Sequence, residues 1–479
     1  MRDQWIMLAI LMRCLDKPVH TQKHPDSPFQ IRFSFESEQS TPGAWGRSPQ
    51  SERITIPHGL MRPSSKDNMA GKQGCVILVS SFSGDIMPRL WLKKGREKGI
   101  KKGYLWVHPS DVERISSSAQ DGAEVDVMDS RDRFLGRGLL NRSSPIVARL
   151  FSRRRSQWGL ELLRERLLRA LQKRKAWGLD LSACRILFGE SDGIPGLVVD
   201  SYGEVAVLQI THPALEKMRM ELAGLLEKTL GVRAVYERSD TPARANEGLQ
   251  PRDEILLGEL PQEIWIREGE LFLKVDVAKG QKTGHYLDQK RNRISVGHLA
   301  RGREVLDLFC YSGGFGLQCL AGGAQSVTFA DSSGTALELA KNNVERLGAS
   351  ARAQFLECNG FDLLRQLEKQ GRKFGMICLD PPAFAHSRAS LPGATRGYRE
   401  LNLRAFKLLE QDGLLVSSSC SSHLPVGLHL QILLEACVDA GREALLLYQW
   451  GQDLDHPVLP GHAPSRYLKC HVMQVVERF

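Results

Sequence analysis

Glu304-Val-Leu-Asp-Leu-Phe-Cys-Tyr-Ser-Gly-Gly-Phe-Gly316, running on into Leu317-Gln-Cys-Leu320, decides the fold of this chain. Residues 304–309 have the pattern of a strand buried on both faces, and residues 317–320 open an apolar helix. Strand, glycine turn and helix in that order bring backbone amides and a helix N-terminus close to a ligand. A tight strand-to-helix connection needs glycine whatever it binds, so the turn alone is weak evidence. The next strand, Ser326 to Ala330, ends at Asp331, 24 residues after Asp307. A carboxylate there can take both hydroxyls of a ribose. The turn lacks the G-x-G-x-x-G spacing of a pyrophosphate cradle, which favours S-adenosyl-L-methionine over NAD, with Asp307 turned towards the methionine end.

A third strand, Met376-Ile-Cys-Leu-Asp380, runs into Pro381-Pro-Ala-Phe384. The two prolines fix the backbone, so that Asp380 is held towards a base edge with Phe384 near enough to stack. A fourth, Gly413-Leu-Leu-Val-Ser-Ser-Ser-Cys420-Ser-Ser-His423, presents a thiol at its carboxyl end. Ligands of open α/β sheets bind at the carboxyl ends of strands, so Asp307, Asp331, Asp380 and Cys420 are expected on one rim. Free cysteine is commonly inert core filler, and Cys310, Cys319, Cys378 and Cys437 are read that way. Cys420 sits among serines at a strand end, where a small apolar side chain has little core to fill. Filler and catalytic readings of it stand about level.

Outward from this region, 479 residues exceed what one core serves, and two or three domains are expected. The chain is 42% hydrophobic and 25% charged, as in soluble globular proteins. Its 65 Lys+Arg against 55 Asp+Glu give +10, enough to attract a polyanion but shared by many proteins that never touch one. Ten scattered cysteines form no C-x-x-C pair, so no metal site is expected and reduced thiols in the cytoplasm fit best. The apolar stretch Trp5 to Met12 is too short to span a bilayer and no small-residue cleavage site follows it. Residues 1–75, rich in Pro, Ser, Gln and His, are expected to form a disordered extension, with Met69 or Met87 as alternative starts.

Between Arg89 and His108, Lys93, Lys94, Arg96, Lys98, Lys101 and Lys102 are interleaved with Trp91, Tyr104 and Trp106. Cations track phosphates and aromatics stack bases, although a solvated basic face is an equal reading. Short strands and turns through residues 88–150 suggest a compact β module. A helix is expected from Arg153 to Lys175, with leucines on one side and nine cations, including Arg153, Arg154 and Arg155, on the other. Strands at Gly196 to Val199, Val205 to Ile210, Ala234 to Glu237 and Leu271 to Val275, with a helix from Ala214 to Leu230, complete a middle α+β domain over 151–276. Residues 277–479 then form the catalytic domain.

Several motifs together resemble the RlmI-type 23S ribosomal RNA cytosine-C5 methyltransferases: Lys93 to His108, Gly280-Gln-Lys-Thr-Gly-His-Tyr-Leu-Asp-Gln-Lys-Arg-Asn-Arg293, Asp307 to Phe315, Leu379-Asp-Pro-Pro-Ala-Phe384, Tyr398-Arg-Glu-Leu-Asn402, Ser419-Cys-Ser421 and Asp455-His-Pro457. The resemblance covers residues 88–479. It implies an α/β protein with a small β-barrel PUA domain, the middle domain and a C-terminal Rossmann-like class I methyltransferase sheet. It implies ribosomal RNA as partner and S-adenosyl-L-methionine as cofactor, with a homodimer as one assembly to test. Gln281, Thr283, Tyr286 and Arg291 would help seat the cofactor, together with Asp307, Phe309, Ser312, Gly313, Gly314, Phe315, Asp331 and Asn359. Lys93, Lys94, Arg96, Lys101, Lys102 and Arg153 to Arg155 would meet RNA. Cys420 would be the nucleophile that adds to C6 of cytosine, with Asp380 on the N3/N4 edge.

Two positions depart from the family pattern. Asn359 stands where an aspartate usually meets the adenine amino group, and Gly375 where an acidic residue is common. The asparagine carbonyl can still accept from that amino group, so weaker cofactor affinity rather than its loss is expected. Two rivals stay open: methylation of a base nitrogen such as guanine's, which needs no thiol, and an RNA-binding assembly factor without turnover.

Overall fold

Apolar runs separated by turns build four β-sheets in the computed structural model, which describes residues 87–385 and 387–477. The expected disordered extension over 1–75 and the apolar stretch Trp5 to Met12 lie outside the described residues. The first sheet holds β1 (Arg89–Leu92), β2 (Trp106–Val107), β3 (Val112–Ile115), β4 (Glu124–Met128), β5 (Phe134–Leu140) and β6 (Ala148–Ser152), in the order β2-β6-β5-β4-β1-β3. Leu90, Leu92, Val125, Val127, Leu140 and Leu150 alternate into its core.

The second sheet runs β11-β10-β9-β8-β7, from β7 (Ala183–Phe188), β8 (Leu197–Tyr202), β9 (Val205–Ile210), β10 (Ala234–Arg238) and β11 (Asp253–Gly258). Leu163, Leu167 and Leu171 of helix Leu160–Ala176, and Leu222 and Leu226 of helix Arg219–Leu230, share its core. A hairpin of β12 (Ile264–Glu268) and β13 (Leu271–Val275) follows.

The third large sheet carries the chemistry: β14 (Glu304–Leu308), β15 (Ser326–Asp331), β16 (Ala353–Glu357), β17 (Phe374–Leu379), β18 (Leu409–Ser419), β19 (Glu443–Trp450) and β20 (Lys469–Val476), ordered β16-β15-β14-β17-β18-β20-β19. β14 to β18 are parallel and β20 enters antiparallel. The order reverses between β14 and β17, and a crevice opens beyond strand ends at such a switch point. Val305, Val327, Met376 and Val416 face one core, while Leu306, Leu308, Ile377 and Leu415 face the other, the period-two pattern of a sheet covered on both sides. Cys310, Cys319, Cys378 and Cys437 are buried in these cores.

The cation-rich helix starts later than the sequence suggests, at Leu160, because residues 148–152 complete a β ladder with β5. Arg153 lies in the turn after it and donates to the Ile100 carbonyl at 2.7 Å, while Arg155 pairs with Asp126 at 2.6 Å. The helix does not present all its cations to solvent either. Arg174 is fully buried, forked onto Asp192 at 2.8 and 2.7 Å and onto the Asp455 carbonyl at 2.7 Å. The helix expected from Ala214 to Leu230 is two, Pro213–Glu216 and Arg219–Leu230.

Buried polar contacts tie the sheets together. Asp455 accepts from the Arg185 amide at 2.9 Å, Lys290 reaches the Ala183 carbonyl at 2.7 Å, and Arg149 pairs with Glu247 at 2.6 Å. Buried charge pairs of this kind favour one arrangement, because alternatives strand a charge. No helix among the described residues is long and apolar enough to cross a membrane.

Candidate active site

The turn after β14 is held in a conformation that the sequence did not advertise. Phe309 and Tyr311 both take left-handed backbone, φ 63° and 49°, and Gly313 follows at 82°. A Cβ on Gly313 would lie 3.0 Å from Phe329 and 3.1 Å from Ala340, so glycine is needed there for packing as well as for backbone. The Gly316 amide donates to Asp307 Oδ2 at 2.8 Å, which clamps the start of helix Gly314–Ala321 to its strand. Asp331, at the end of β15, accepts from the amides of Tyr311 at 2.9 Å and Ser333 at 3.0 Å.

Around this turn lies a cavity of about 340 Å³. Its walls include ten of the expected residues: Gln281, Tyr286, Phe309, Ser312, Gly314, Phe315, Asp331, Asn359, Asp380 and Cys420. Four others stand elsewhere. Asp307 lies beneath the turn, one oxygen on Gly316 and the other without a partner, and burial raises its carboxyl to about 7; it shapes the turn rather than facing the methionine end. Gly313 sits behind the wall against Phe329. Thr283 is buried, donating to Asp200 at 2.6 Å and bonded to the Tyr202 hydroxyl at 2.8 Å. Arg291 is exposed, because the turn of helix Lys290–Gly297 points Arg293 inward instead.

Arg293, Lys282, Asp288, Gln289 and Tyr311 line the cavity and were missed. The signal was present as unusual charge density within Gly280 to Arg293, but which charges turn inward depends on the helix phase. Arg293 is anchored by Glu268 of β12, at 2.7 Å from Nε to Oε1, with Nη2 on the other carboxylate oxygen and His285 alongside. Its stem packs behind Gly314, where a Cβ would lie 2.6 Å from Arg293 Cδ.

Asn359, on the cavity wall, already has partners within the chain. Its side-chain oxygen accepts from the Phe361 and Asp362 amides at 3.0 and 3.4 Å, capping helix Gly360–Lys369. An aspartate would cap equally well, so this departure leaves the helix intact. Gly375 lies near the start of β17, its carbonyl on Arg303 at 3.1 Å, and forms no part of the cavity wall.

Asp380 and Cys420 follow the ends of the paired strands β17 and β18. Burial, then the neighbouring Asp288, raises the Asp380 carboxyl to about 6, against the Gln289 amide that donates to it at 3.0 Å. Burial, with the Asp380 and Asp288 carboxylates, pushes the Cys420 thiol up to about 11, while Lys282 and Lys469 pull it back. Cys420 is half-buried on the cavity wall, unlike the four core cysteines, so the filler reading does not describe it. Its flanking serines are engaged: Ser419 donates to Tyr398 at 2.9 Å, Ser421 bonds the same hydroxyl at 3.2 Å, and Lys469 donates to the Ser421 carbonyl at 2.5 Å.

Lys93, Lys94, Arg96, Lys101 and Lys102, with Arg153, Arg154 and Arg155, are exposed on or beside the first sheet. The interleaved aromatics are less available than the sequence suggests. Trp91 is buried under the Arg114 guanidinium, 3.4 Å from its ring centre, and Trp106 donates to Glu190 at 2.7 Å.

The site fits an adenosyl ligand. A cavity of this size suits a cofactor, the close approach at Gly314 leaves no room for a side chain, Asp331 ends β15 on the wall, and Asp288 keeps an unpaired buried oxygen there. Residues 90–153 match the PUA-like domain family and residues 248–473 the S-adenosylmethionine-dependent methyltransferase family. Ribosomal RNA large subunit methyltransferase I of Klebsiella pneumoniae is 37% identical over 402 residues, 82% of this chain and 100% of that protein. The protein of that name from Tolumonas auensis is 38% identical over 397 residues, 81% of this chain and 99% of its own. Among solved structures, a SAM-dependent methyltransferase from Streptococcus mutans shares the fold at TM-score 0.71 and 22% identity, covering 81% of this chain and 100% of that one. With a relative 37% identical along its entire length, the chain belongs to the S-adenosylmethionine-dependent methyltransferases of the ribosomal RNA large subunit methyltransferase I family, and its cofactor is S-adenosyl-L-methionine.

Proposed function

We propose that the protein methylates C5 of a cytosine in large-subunit ribosomal RNA through a covalent bond between Cys420 and C6. The observation that carries this reading is that Cys420 and Asp380, from neighbouring strand ends, line the same cavity as the cofactor turn. Bound there, S-adenosylmethionine supplies an electrophilic methyl group. Gln281, Tyr286, Phe309, Ser312, Gly314, Phe315, Asp331 and Asn359 hold it. Cytosine C5 is a poor nucleophile until a thiolate adds to C6 and leaves C5 enamine-like. Lys282 and Lys469 favour the thiolate. Asp380, near neutrality in its titration, holds the N3/N4 edge and shares a proton with it as charge develops. After transfer, loss of the C5 proton and of the thiol releases the product.

Residues 88–150 and the basic turn at Arg153 to Arg155 track the RNA backbone, residues 151–276 bridge, and residues 277–479 do the chemistry. The relatives' names specify ribosomal RNA, and such a substrate supports a cytoplasmic location. A homodimer is supported by the edge strand β19, which exposes Leu445, Leu446, Leu447 and Tyr448; sedimentation at equilibrium tests it.

The test of the chemistry uses ribosomal RNA carrying 5-fluorocytidine, in which fluorine cannot leave as a proton does. Wild-type protein with S-adenosylmethionine is expected to form a denaturant-stable adduct, and Cys420→Ser none. Methylation by Cys420→Ala at the wild-type rate would move the enzyme to the nitrogen-methylating class.

A further inference from the structure

A second cleft, about 510 Å³, lies where the first and second large sheets meet the segment before β20. Trp106 and Arg149 come from the first sheet, Phe188 and Ser191 from the end of β7, and His462 and Tyr467 from that segment. Lys282 and Cys420 belong to the walls of both this cleft and the cofactor cavity, and no other described residue on either wall does. The thiol therefore stands at a partition, with the methyl donor's space on one side and the cleft on the other.

The cleft is chemically incomplete. Arg149 Nε, Ser191 Oγ, Thr241 Oγ1 and His462 Nδ1 are buried polar atoms on its lining side chains with no partner in the protein. Arg149 and His462 are more than nine-tenths buried, 8% and 1% exposed. Unpaired buried polar groups are costly and uncommon, and four around one cleft point to a ligand that supplies both donors and acceptors. Its charges are already spent within the protein. Arg149 is neutralised by Glu190 at 3.0 Å and Glu247 at 2.6 Å, and Arg185 by Asp200 at 2.7 Å. A phosphate would find little excess charge there. Aromatic rings line it, with Trp106 edge-on to His462 at 4.8 Å and Phe188 beside Tyr467 at 6.3 Å.

We propose that this cleft seats an unstacked nucleoside of the RNA strand next to the target, so that the target base passes Cys420 into the cavity where Asp380 and the methyl donor stand. A base offers a stacking face and a mixed donor and acceptor edge, and a ribose adds a hydroxyl that does both, which matches the aromatic and unpaired polar groups present. Phosphates of the same strand fall outside the cleft, on the exposed cations of the first sheet. The inference rests on the C5-methylation reading only for the identity of the base.

Two variants of the full chain and one cross-linking experiment test it. Thr241→Trp fills the cleft and Phe188→Ala removes a stacking face. Each should lower kcat/KM for 23S ribosomal RNA by about tenfold or more, with calorimetric affinity for S-adenosylmethionine unchanged. Wild-type kcat/KM in both would overturn the proposal. Should Thr241→Trp also lose cofactor binding through misfolding, the cross-link decides. RNA containing 4-thiouridine, irradiated on the wild-type protein, is expected to label peptides within 185–198 or 462–467. Labelling confined to 93–102 would mean that the cleft serves another ligand, such as a peptide, and would sink the idea. Absence of a 5-fluorocytidine adduct in the same wild-type complex would overturn the C5 reading instead, leaving the cleft's labelling intact.

Discussion

Glu268 is buried to 0% exposure at the end of β12, and replacing it by alanine should lower the stability of the fold by about 3 to 5 kcal/mol, the usual loss when one partner of a buried ion pair is removed. The loss is also tied to the ionised state of the carboxyl. Burial raises the Glu268 carboxyl, but Arg293 and then His285 more than offset this, taking it from its ordinary 4.5 to about 2. The ionised carboxyl is therefore a net stabiliser of the fold at neutral pH. A depressed carboxyl stabilises the fold above about 4.5, and that stabilisation drains away as pH falls towards 2. Urea unfolding followed by circular dichroism should therefore show a gap between wild type and Glu268→Ala that is full at pH 7 and narrower at pH 3. Cofactor affinity should drop as well, since the Arg293 stem backs Gly314. The double variant Glu268→Leu, Arg293→Met, which buries no charge, should recover much of the stability. A gap below about 1 kcal/mol, or one that does not change with pH, would refute the reasoning.

Asp331→Ala should weaken S-adenosylmethionine binding by about 1.5 to 3 kcal/mol, the scale for losing a charged hydrogen-bonding partner; unchanged calorimetric affinity would remove it from the site. Neutralising Lys93, Lys94, Arg96, Lys101 and Lys102 should weaken binding to all RNAs alike and flatten the salt dependence by about 0.7 in slope per lost contact with a single strand. A wild-type slope would mark them as solvated. With Asp380 near 6 and Cys420 near 11, the thiolate fraction grows with pH while protonated Asp380 is lost above pH 6, so kcat/KM should climb with pH up to about 6 and then level off as the two titrations offset each other. Asp380→Asn should abolish that inflection, and a variant that kept it would assign the titration to another group.

Periodicity and spacing located the strand ends well. Asp331, Asp380 and Cys420 reached the cavity because a parallel sheet delivers all its carboxyl ends to one rim, whatever the loops do. Asp307 failed the same argument by a single position. One residue before the end of β14, its side chain lies beneath the turn, and only the Gly316 hydrogen bond reveals this. Arg291 and Arg293 are indistinguishable in composition, and a turn of helix decided between them. The nine-cation helix misled for a related reason. Periodicity reports which face is apolar, but Arg174 is drawn inward by Asp192 and by the Asp455 carbonyl, the second lying 281 residues away in sequence. Nothing local encodes that partner. The second cleft was illegible altogether, since its walls come from many separated stretches of chain, from Trp106 to Tyr467.

Phe309 and Tyr311 give the cofactor turn a history as well as a shape. Left-handed backbone at a residue with a bulky side chain costs about 1 to 3 kcal/mol, and here it occurs twice within three positions. Both rings repay it locally, Phe309 on the cavity wall and Tyr311 through its hydroxyl, which accepts from the Gln281 amide at 2.9 Å and donates to the Gly284 carbonyl at 3.1 Å. Glycine at either position would relax the backbone and discard the ring. A population selected only for heat resistance would thus drift towards glycine at this turn and lose methylation as it hardened. One selected for activity in a warm environment must find its extra stability elsewhere in the molecule, with these two residues left as they are.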